Sequence, residues 1–123
     1  MEIDEVSGHV VSAAITVHSA LGPELLESAY EACMTLELRQ RGLRVERQVP
    51  LPIVYCGQRI DAGYRIDLLV DGRVVVEEKV VTKVLPIHEA QLLSYLRLGG
   101  FKVGLLLNFH VLRMKDGIVR MVN

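Results

Sequence analysis

The chain contains no tryptophan, two phenylalanines and four tyrosines among its 123 residues. With so few rings, a single-strand-binding surface that stacks bases on aromatic side chains is disfavoured. The two cysteines, Cys33 and Cys56, lie far apart and show no metal-ligand spacing, which excludes zinc fingers and disulfide scaffolds and predicts reduced thiols. No apolar run reaches the roughly 18 residues that a membrane-spanning helix requires.

Other familiar signals are also missing. The first residues, Met1–Glu5, are acidic, whereas a signal peptide begins with basic residues, so we expect a cytoplasmic protein with no membrane partner. There is no Gly-rich phosphate loop and no serine or cysteine in a nucleophile elbow. The length, with 50% apolar and 24% charged residues, predicts one globular domain over residues 1–123.

Charge is unevenly distributed although the net charge is only −1. Positions 1–37 hold seven acids and no lysine or arginine, so all 14 basic residues follow, against eight acids. Such polarity permits a polyanionic partner on one face. A set of ordinary solvated faces explains it equally well.

The apolar periodicity predicts the element order ααβββαβββ. Helices are predicted over 4–21, 23–41 and 86–99, and strands over 45–55, 59–70, 73–81, 103–107, 111–114 and 118–122. The helix between the third and fourth strands indicates a right-handed crossover and one parallel pair in an otherwise antiparallel sheet. We therefore expect a mixed α/β sheet with helices packed against it.

Charged residues interrupt two of the most apolar predicted strands. Glu77 and Lys79 share one face of a valine-rich strand, since alternate residues do so, and Asp67 lies inside the preceding strand. Two carboxylates on neighbouring strands can share Mg²⁺ or Mn²⁺, and a lysine beside them can orient or deprotonate a water. The three residues predict a site for phosphodiester hydrolysis. The alternative is a structural Glu77–Lys79 pair with an unrelated aspartate.

The register between these strands decides whether the three side chains meet. A two-residue turn at Asp71-Gly72 would place Asp67 opposite Val76, with Asp67 and Glu77 on different faces. A three-residue connection, with Gly72 in a left-handed bulge, moves both carboxylates to one face. We predict the three-residue connection or an equivalent bulge.

Several stretches of the chain together resemble the GxxExxY family of the PD-(D/E)XK nuclease superfamily. They are 1–8 (MEIDEVSG), Val17-His18, Leu21-Gly22-Pro23, 25–31 (LLESAYE), Arg47-Gln48-Val49-Pro50, 63–70 (GYRIDLLV), 76–79 (VEEK), 88–96 (HEAQLLSYL) and Asn108-Phe109. The resemblance implies a restriction-endonuclease-like fold and Mg²⁺- or Mn²⁺-dependent cleavage of nucleic acid, with DNA as the expected substrate.

The resemblance also implies roles for individual residues. Asp67 and Glu77 are the implied metal ligands, with Glu27 reaching the metal or its water from the second helix and Glu78 contributing its backbone carbonyl. Lys79 is expected to activate the nucleophile. Gln91 and Tyr95 match a Gln-x-x-x-Tyr motif that lies near the metals and DNA in RecB-type nucleases, although an ordinary amphipathic helix has the same spacing.

Two positions depart from the family pattern. Glu24 replaces the glycine that names the motif, and Glu78 replaces a residue that is usually apolar. Glu78 predicts either a partly wet face or a buried carboxyl with a raised pKa or an arginine partner. These changes leave open a catalytically inactive nuclease-fold module that binds nucleic acid or protein. A homodimer is a further expectation, because a small nuclease that cuts both strands often needs two copies.

Overall fold

The computed structural model, which describes all 123 residues, contains a five-stranded sheet flanked by three helices and a separate two-stranded hairpin. The helices are α1 (Ile3–Leu21), α2 (Glu27–Gln40) and α3 (Pro86–Gly99). The strands are β1 (Val45–Pro50), β2 (Ile53–Tyr55), β3 (Gln58–Ile60), β4 (Arg65–Val70), β5 (Val74–Lys79), β6 (Val103–Asn108) and β7 (Ile118–Val122). None of the helices is both long and apolar enough to cross a membrane.

The main sheet has the strand order β1-β4-β5-β6-β7. The pair β5–β6 is parallel and the other pairs are antiparallel, with α3 forming the crossover between the parallel strands. This arrangement confirms the predicted mixed sheet. Strand β6, which lies between β5 and β7, is buried along its whole length, as its almost continuous apolar run predicts.

Each face of the sheet has its own apolar core. On the face covered by α1 and α2, here called the α1–α2 face, the sheet contributes Leu68, Val70, Val74, Val76 and Leu105. On the opposite α3 face, Leu69, Val75 and Leu106 pack against Leu92 and Leu96 of α3. The two sets alternate along each strand because successive side chains point to opposite sides of a sheet.

The connection between β4 and β5 has the predicted length of three residues, since Val70 pairs with Val74 and Leu68 with Val76. Asp71 and Gly72 both have positive φ, and the Arg73 N–H donates to the Val70 carbonyl at 3.1 Å. The turn therefore uses two left-handed residues rather than one. The predicted register is confirmed.

The longest predicted strands are shorter than expected. The segment 45–55 divides into β1 and β2 at its two prolines, and 59–70 divides into β3 and β4, because the β2–β3 hairpin pairs only with itself. The predicted strand 111–114 is wrong. That segment forms bends and the start of a 3-10 helix (Met114–Gly117), and β7 pairs with β6 instead.

A second irregularity occurs where β1 faces β4. In β4, Ile66 packs on the α3 face whereas Leu68 packs on the α1–α2 face, although residues two apart normally share a face. In β1, Val45 and Val49 are separated in the same way. The pairing between β1 and β4 has the same register before and after this point, so the two strands change faces at the same place.

Two glycine substitutions test the packing of this fold. A Cβ at Gly117 would overlap the main-chain oxygen of Asn108, which is fixed at the end of β6, so Gly117→Ala should destabilise the protein by about 1–3 kcal/mol. Gly8 lies exposed inside α1 with no atom near its added Cβ, so Gly8→Ala should stabilise by about 0.5–1 kcal/mol. Urea denaturation measures both, and an unchanged midpoint for Gly117→Ala would contradict this packing.

Candidate active site

The site lies where β4 separates from β5. Paired residues between these strands end at Leu68–Val76, one position before Asp67 and Glu77. Beyond that point, the Asp67 N–H donates to Glu77 Oε1 at 3.2 Å, and the Glu78 N–H donates to Asp67 Oδ2 at 2.8 Å. Side-chain oxygens thus accept the main-chain hydrogen bonds in this part of the strand pair. Because main-chain N–H groups in such a place need hydrogen-bond partners, these two bonds hold the carboxyl groups of Asp67 and Glu77 in position.

Asp67 and Glu77 form a close acidic pair. Glu77 is only 5% exposed, and burial together with the nearby Asp67 carboxylate raises the pKa of Glu77 to about 9. Burial also raises the pKa of Asp67, against the opposing effect of hydrogen bonds from the Glu78 N–H and the Glu77 carboxyl. Two acids this close cannot both ionise without a compensating cation, so at neutral pH the pair retains a proton.

A divalent cation fits this donor set. It would replace the retained proton and compensate both carboxylates, which are the hard oxygen ligands that Mg²⁺ prefers. No three His, Cys, Asp or Glu side chains converge closely enough to form a complete protein cage. Mg²⁺ commonly uses one or two carboxylates and retains several waters, so a two-carboxylate site suits that ion.

Lys79 and Gln91 stand beside the acids on the α3 side. Lys79 shares the face of Glu77 by strand alternation, and its Nζ lies 3.4 Å from Gln91 Oε1 on α3. The buried Asn108 fixes the chain just after Lys79: its side chain accepts from the Val81 N–H at 3.1 Å and donates to the Val81 carbonyl at 2.9 Å. No sequence pattern predicts this role for Asn108, because an asparagine at the end of an apolar strand has no distinctive spacing.

Tyr95 closes the α3 side of the site. It is 7% exposed, and burial followed by the charges of Glu77 and Asp67 raises the pKa of its hydroxyl. Its ring meets the exposed ring of Tyr64 edge to face, with centroids 6.0 Å apart. The preceding turns of α3 line a groove of about 390 Å³ that includes Lys79, His88, Gln91 and Ser94.

Glu27 approaches from the opposite side, as the first residue of α2. Burial and the Asp67 carboxylate raise the pKa of Glu27, while Lys79 opposes the shift. The Glu27 carboxyl therefore lies close enough to interact electrostatically with Asp67 and with Lys79.

The start of α2 lies later than the predicted Pro23, because hydrogen bonds of Tyr30 hold the preceding loop in place. The Tyr30 hydroxyl donates to the Gly22 carbonyl and accepts from the Leu25 N–H at 3.1 Å.

Glu78 lies on the other side of β5. It is 1% exposed, and neither of its carboxyl oxygens has a hydrogen-bond partner. Burial raises its pKa well above the usual value, and the charges of Asp67, Glu31 and Glu27 raise it further. Of the two alternatives left by the sequence, the buried carboxyl with a raised pKa is confirmed, without an arginine partner.

A second network borders the site on the β1 side and was missed at the sequence level. Glu31 Oε2 accepts from Arg47 Nη2 at 2.9 Å and Nε at 3.2 Å, and Glu31 Oε1 accepts from Gln48 Nε2 at 2.5 Å. Gln48 Nε2 also lies 3.5 Å from Asp67 Oδ1. Arg47 and Gln48 belong to a stretch that contributed to the resemblance, which was the only sequence signal for them.

The structure therefore gathers the predicted side chains around one end of β5. Asp67, Glu77, Lys79 and Gln91 are linked by hydrogen bonds or share one strand face, while Glu27 and Tyr95 are close enough to interact electrostatically with the two acids. The side chain of Glu78 faces away from Glu77.

A mixed sheet with this strand order and with acids at the point where two central strands separate is a restriction-endonuclease-like fold. The profile of the PD-(D/E)XK nuclease superfamily matches residues 4–121, and the chain belongs to that superfamily. No curated protein and no solved structure matches the chain.

The raised pKa of Glu77 predicts a specific dependence of stability on pH in the absence of divalent metal. The folded state holds this proton up to about pH 9, whereas the unfolded state releases it near 4.5, so rising pH favours unfolding across that window. The loss is about 1 kcal/mol per pH unit for one proton. Glu77→Gln removes the ionisation, and its stability relative to the unmodified protein should increase steadily from pH 5 to pH 9.

Urea denaturation in EDTA at pH 5, 7 and 9 measures this difference. Glu46→Gln is the matched control, since Glu46 is an exposed glutamate on β1. Stability curves for Glu77→Gln and the unmodified protein that run parallel with pH would contradict the raised pKa of Glu77.

Proposed function

We propose that this protein is a Mg²⁺- or Mn²⁺-dependent nuclease of the GxxExxY type that hydrolyses phosphodiester bonds in nucleic acid. The observation that carries the proposal is the pair of the buried Glu77 and the half-buried Asp67, with Lys79 on the same face of β5 as Glu77. A structural ion pair would not require a second, unionised acid held against the first. Membership of the nuclease superfamily supports the same interpretation.

In this proposal Asp67 and Glu77 hold the cation, with the backbone carbonyl of Glu78 as a further ligand. When bound, the ion supplies positive charge that offsets the negative charge developing on the phosphate. The Glu78 N–H keeps Asp67 in place during the reaction, because its hydrogen bond to Oδ2 is main-chain and cannot rotate away.

Lys79 orients the attacking water and assists its deprotonation. Gln91 holds the Lys79 ammonium through its side-chain oxygen, 3.4 Å away, and this contact keeps the flexible lysine beside the acids. Glu27 positions the water or contributes to the cation from the α2 side. Tyr95 excludes bulk solvent and contacts the nucleic-acid backbone together with Gln91.

Electrostatics make substrate binding depend on the cation. The pocket is rich in carboxyl groups that would repel the sugar-phosphate backbone of a nucleic acid, and a bound divalent ion would neutralise the charge of Asp67 and Glu77. Arg65, exposed two residues before Asp67, can contact a phosphate near the site. We take DNA as the first expected substrate, a homodimer as the form that cuts two strands, and the cytoplasm as the location.

Lys79→Ala is expected to lower cleavage of DNA by about 100-fold or more, the usual contribution of a general acid–base group. Purified protein with Mn²⁺ and end-labelled DNA or RNA of single- and double-stranded form provides the assay. Lys102→Ala is the matched control, since Lys102 is exposed at the opposite end of the sheet, just before β6. Equal cleavage by the Lys79 and Lys102 variants would point to a contaminating nuclease.

Thermal melting separates the enzyme from the inactive module. A ligand that binds only the folded state raises its stability, so Mn²⁺ should raise the melting temperature of the unmodified protein and not of Asp67→Ala. Binding of DNA with no response to metal would favour a nuclease-fold binding module and contradict the enzyme.

A further inference from the structure

Gln48 has a backbone conformation that is unusual for a residue within a strand. Its φ is +51, in the left-handed region where a side chain is crowded, yet it lies in the middle of β1 with paired residues on both sides. Arg47 pairs with Leu68 and Val49 pairs with Ile66, so no residue is inserted and Gln48 stands opposite Asp67. This is also the point where β1 and β4 change faces. Strained backbone persists where its surroundings demand it, and it is concentrated at functional sites.

The side chain of Gln48 connects two acids of the site. Its Nε2 donates to Glu31 Oε1 at 2.5 Å and lies 3.5 Å from Asp67 Oδ1. Arg47 binds the other oxygen of Glu31, so Glu31 anchors the amide. Since Glu78 N–H binds Asp67 Oδ2, both oxygens of Asp67 have a neighbour that fixes their direction.

The chemistry of an amide suits this position. Its two N–H donors serve two carboxylates at once and carry no charge. An arginine or lysine here would pair with Asp67 and compete with a cation, whereas an amide orients the carboxylate and leaves its charge available. Groups that orient a metal ligand from outside the coordination shell typically change metal affinity by 10–100-fold.

We propose that Gln48 is a positioning residue for Asp67 and that the strained conformation of β1 is retained because it delivers the Gln48 amide to this acid. The inference rests on the proposed function, since it deepens the account of the same cation site. The competing explanation is that the left-handed residue only allows β1 and β4 to change faces.

Two substitutions at position 48 separate the amide from the strain. Gln48→Ala removes the amide and keeps a side chain in the left-handed region, so it should be less stable than Gln48→Gly, which removes the amide and relieves the strain. If the amide positions Asp67, both variants should bind Mn²⁺ about 10-fold more weakly than the unmodified protein, despite their different stabilities. Cys56→Gly is the matched control, because Cys56 also has a positive φ of 52 but lies exposed in the turn between β2 and β3.

Isothermal titration calorimetry with Mn²⁺ at pH 7 gives the dissociation constants without any assay of cleavage, and urea denaturation in EDTA gives the stabilities. Cys56→Gly should bind Mn²⁺ as the unmodified protein does. Mn²⁺ affinity within twofold of the unmodified value in Gln48→Gly would overturn the inference and leave the proposed function intact. Absence of Mn²⁺ binding by the unmodified protein would overturn both.

Discussion

The separation of β4 from β5 is the constraint on which the site depends. Main-chain donors near the end of the paired segment, those of Asp67 and Glu78, are satisfied by carboxyl oxygens of the opposite strand. Each acid is therefore part of the hydrogen bonding that holds the two strands together. This explains why charged groups are retained in segments that are otherwise valine and leucine, where an unpartnered acid is costly.

The same arrangement lowers the stability of the folded state as the pH rises. Glu77 and Glu78 are both almost fully buried, one on each face of β5, and each has a raised pKa. In the absence of a cation, the folded protein must take up protons that the unfolded chain does not hold. A cation at the Asp67–Glu77 pair would replace the proton on one face of β5 only. On the other face, Glu78 remains without a hydrogen-bond partner.

Local patterns were sufficient to predict most of the fold. Asp71-Gly72 located the turn between β4 and β5 but allowed two registers, and the three-residue connection followed from the expectation that Asp67 and Glu77 share a face. The helix before β6 indicated the parallel pair. Patterns failed where contacts between distant segments decide the backbone. The start of α2 depends on the Tyr30 hydroxyl, and the left-handed Gln48 contacts acids from α2 and β4. The chain before Met114 is irregular although Lys115-Asp116-Gly117 is typical of a hairpin turn. Such contacts have no periodicity that a single sequence displays.

Phe109 links the two sides of the pocket. Its N–H donates to the Lys79 carbonyl at 3.0 Å, and its ring stacks on Tyr30 with centroids 4.3 Å apart. This one residue thereby joins α2, which carries Glu27, to β5, which carries Glu77 and Lys79. During synthesis on the ribosome, the acidic residues emerge well before Phe109 does. The pocket consequently reaches its final shape only after Phe109 has been made, and a nascent chain that stops before this residue lacks the connection between α2 and β5.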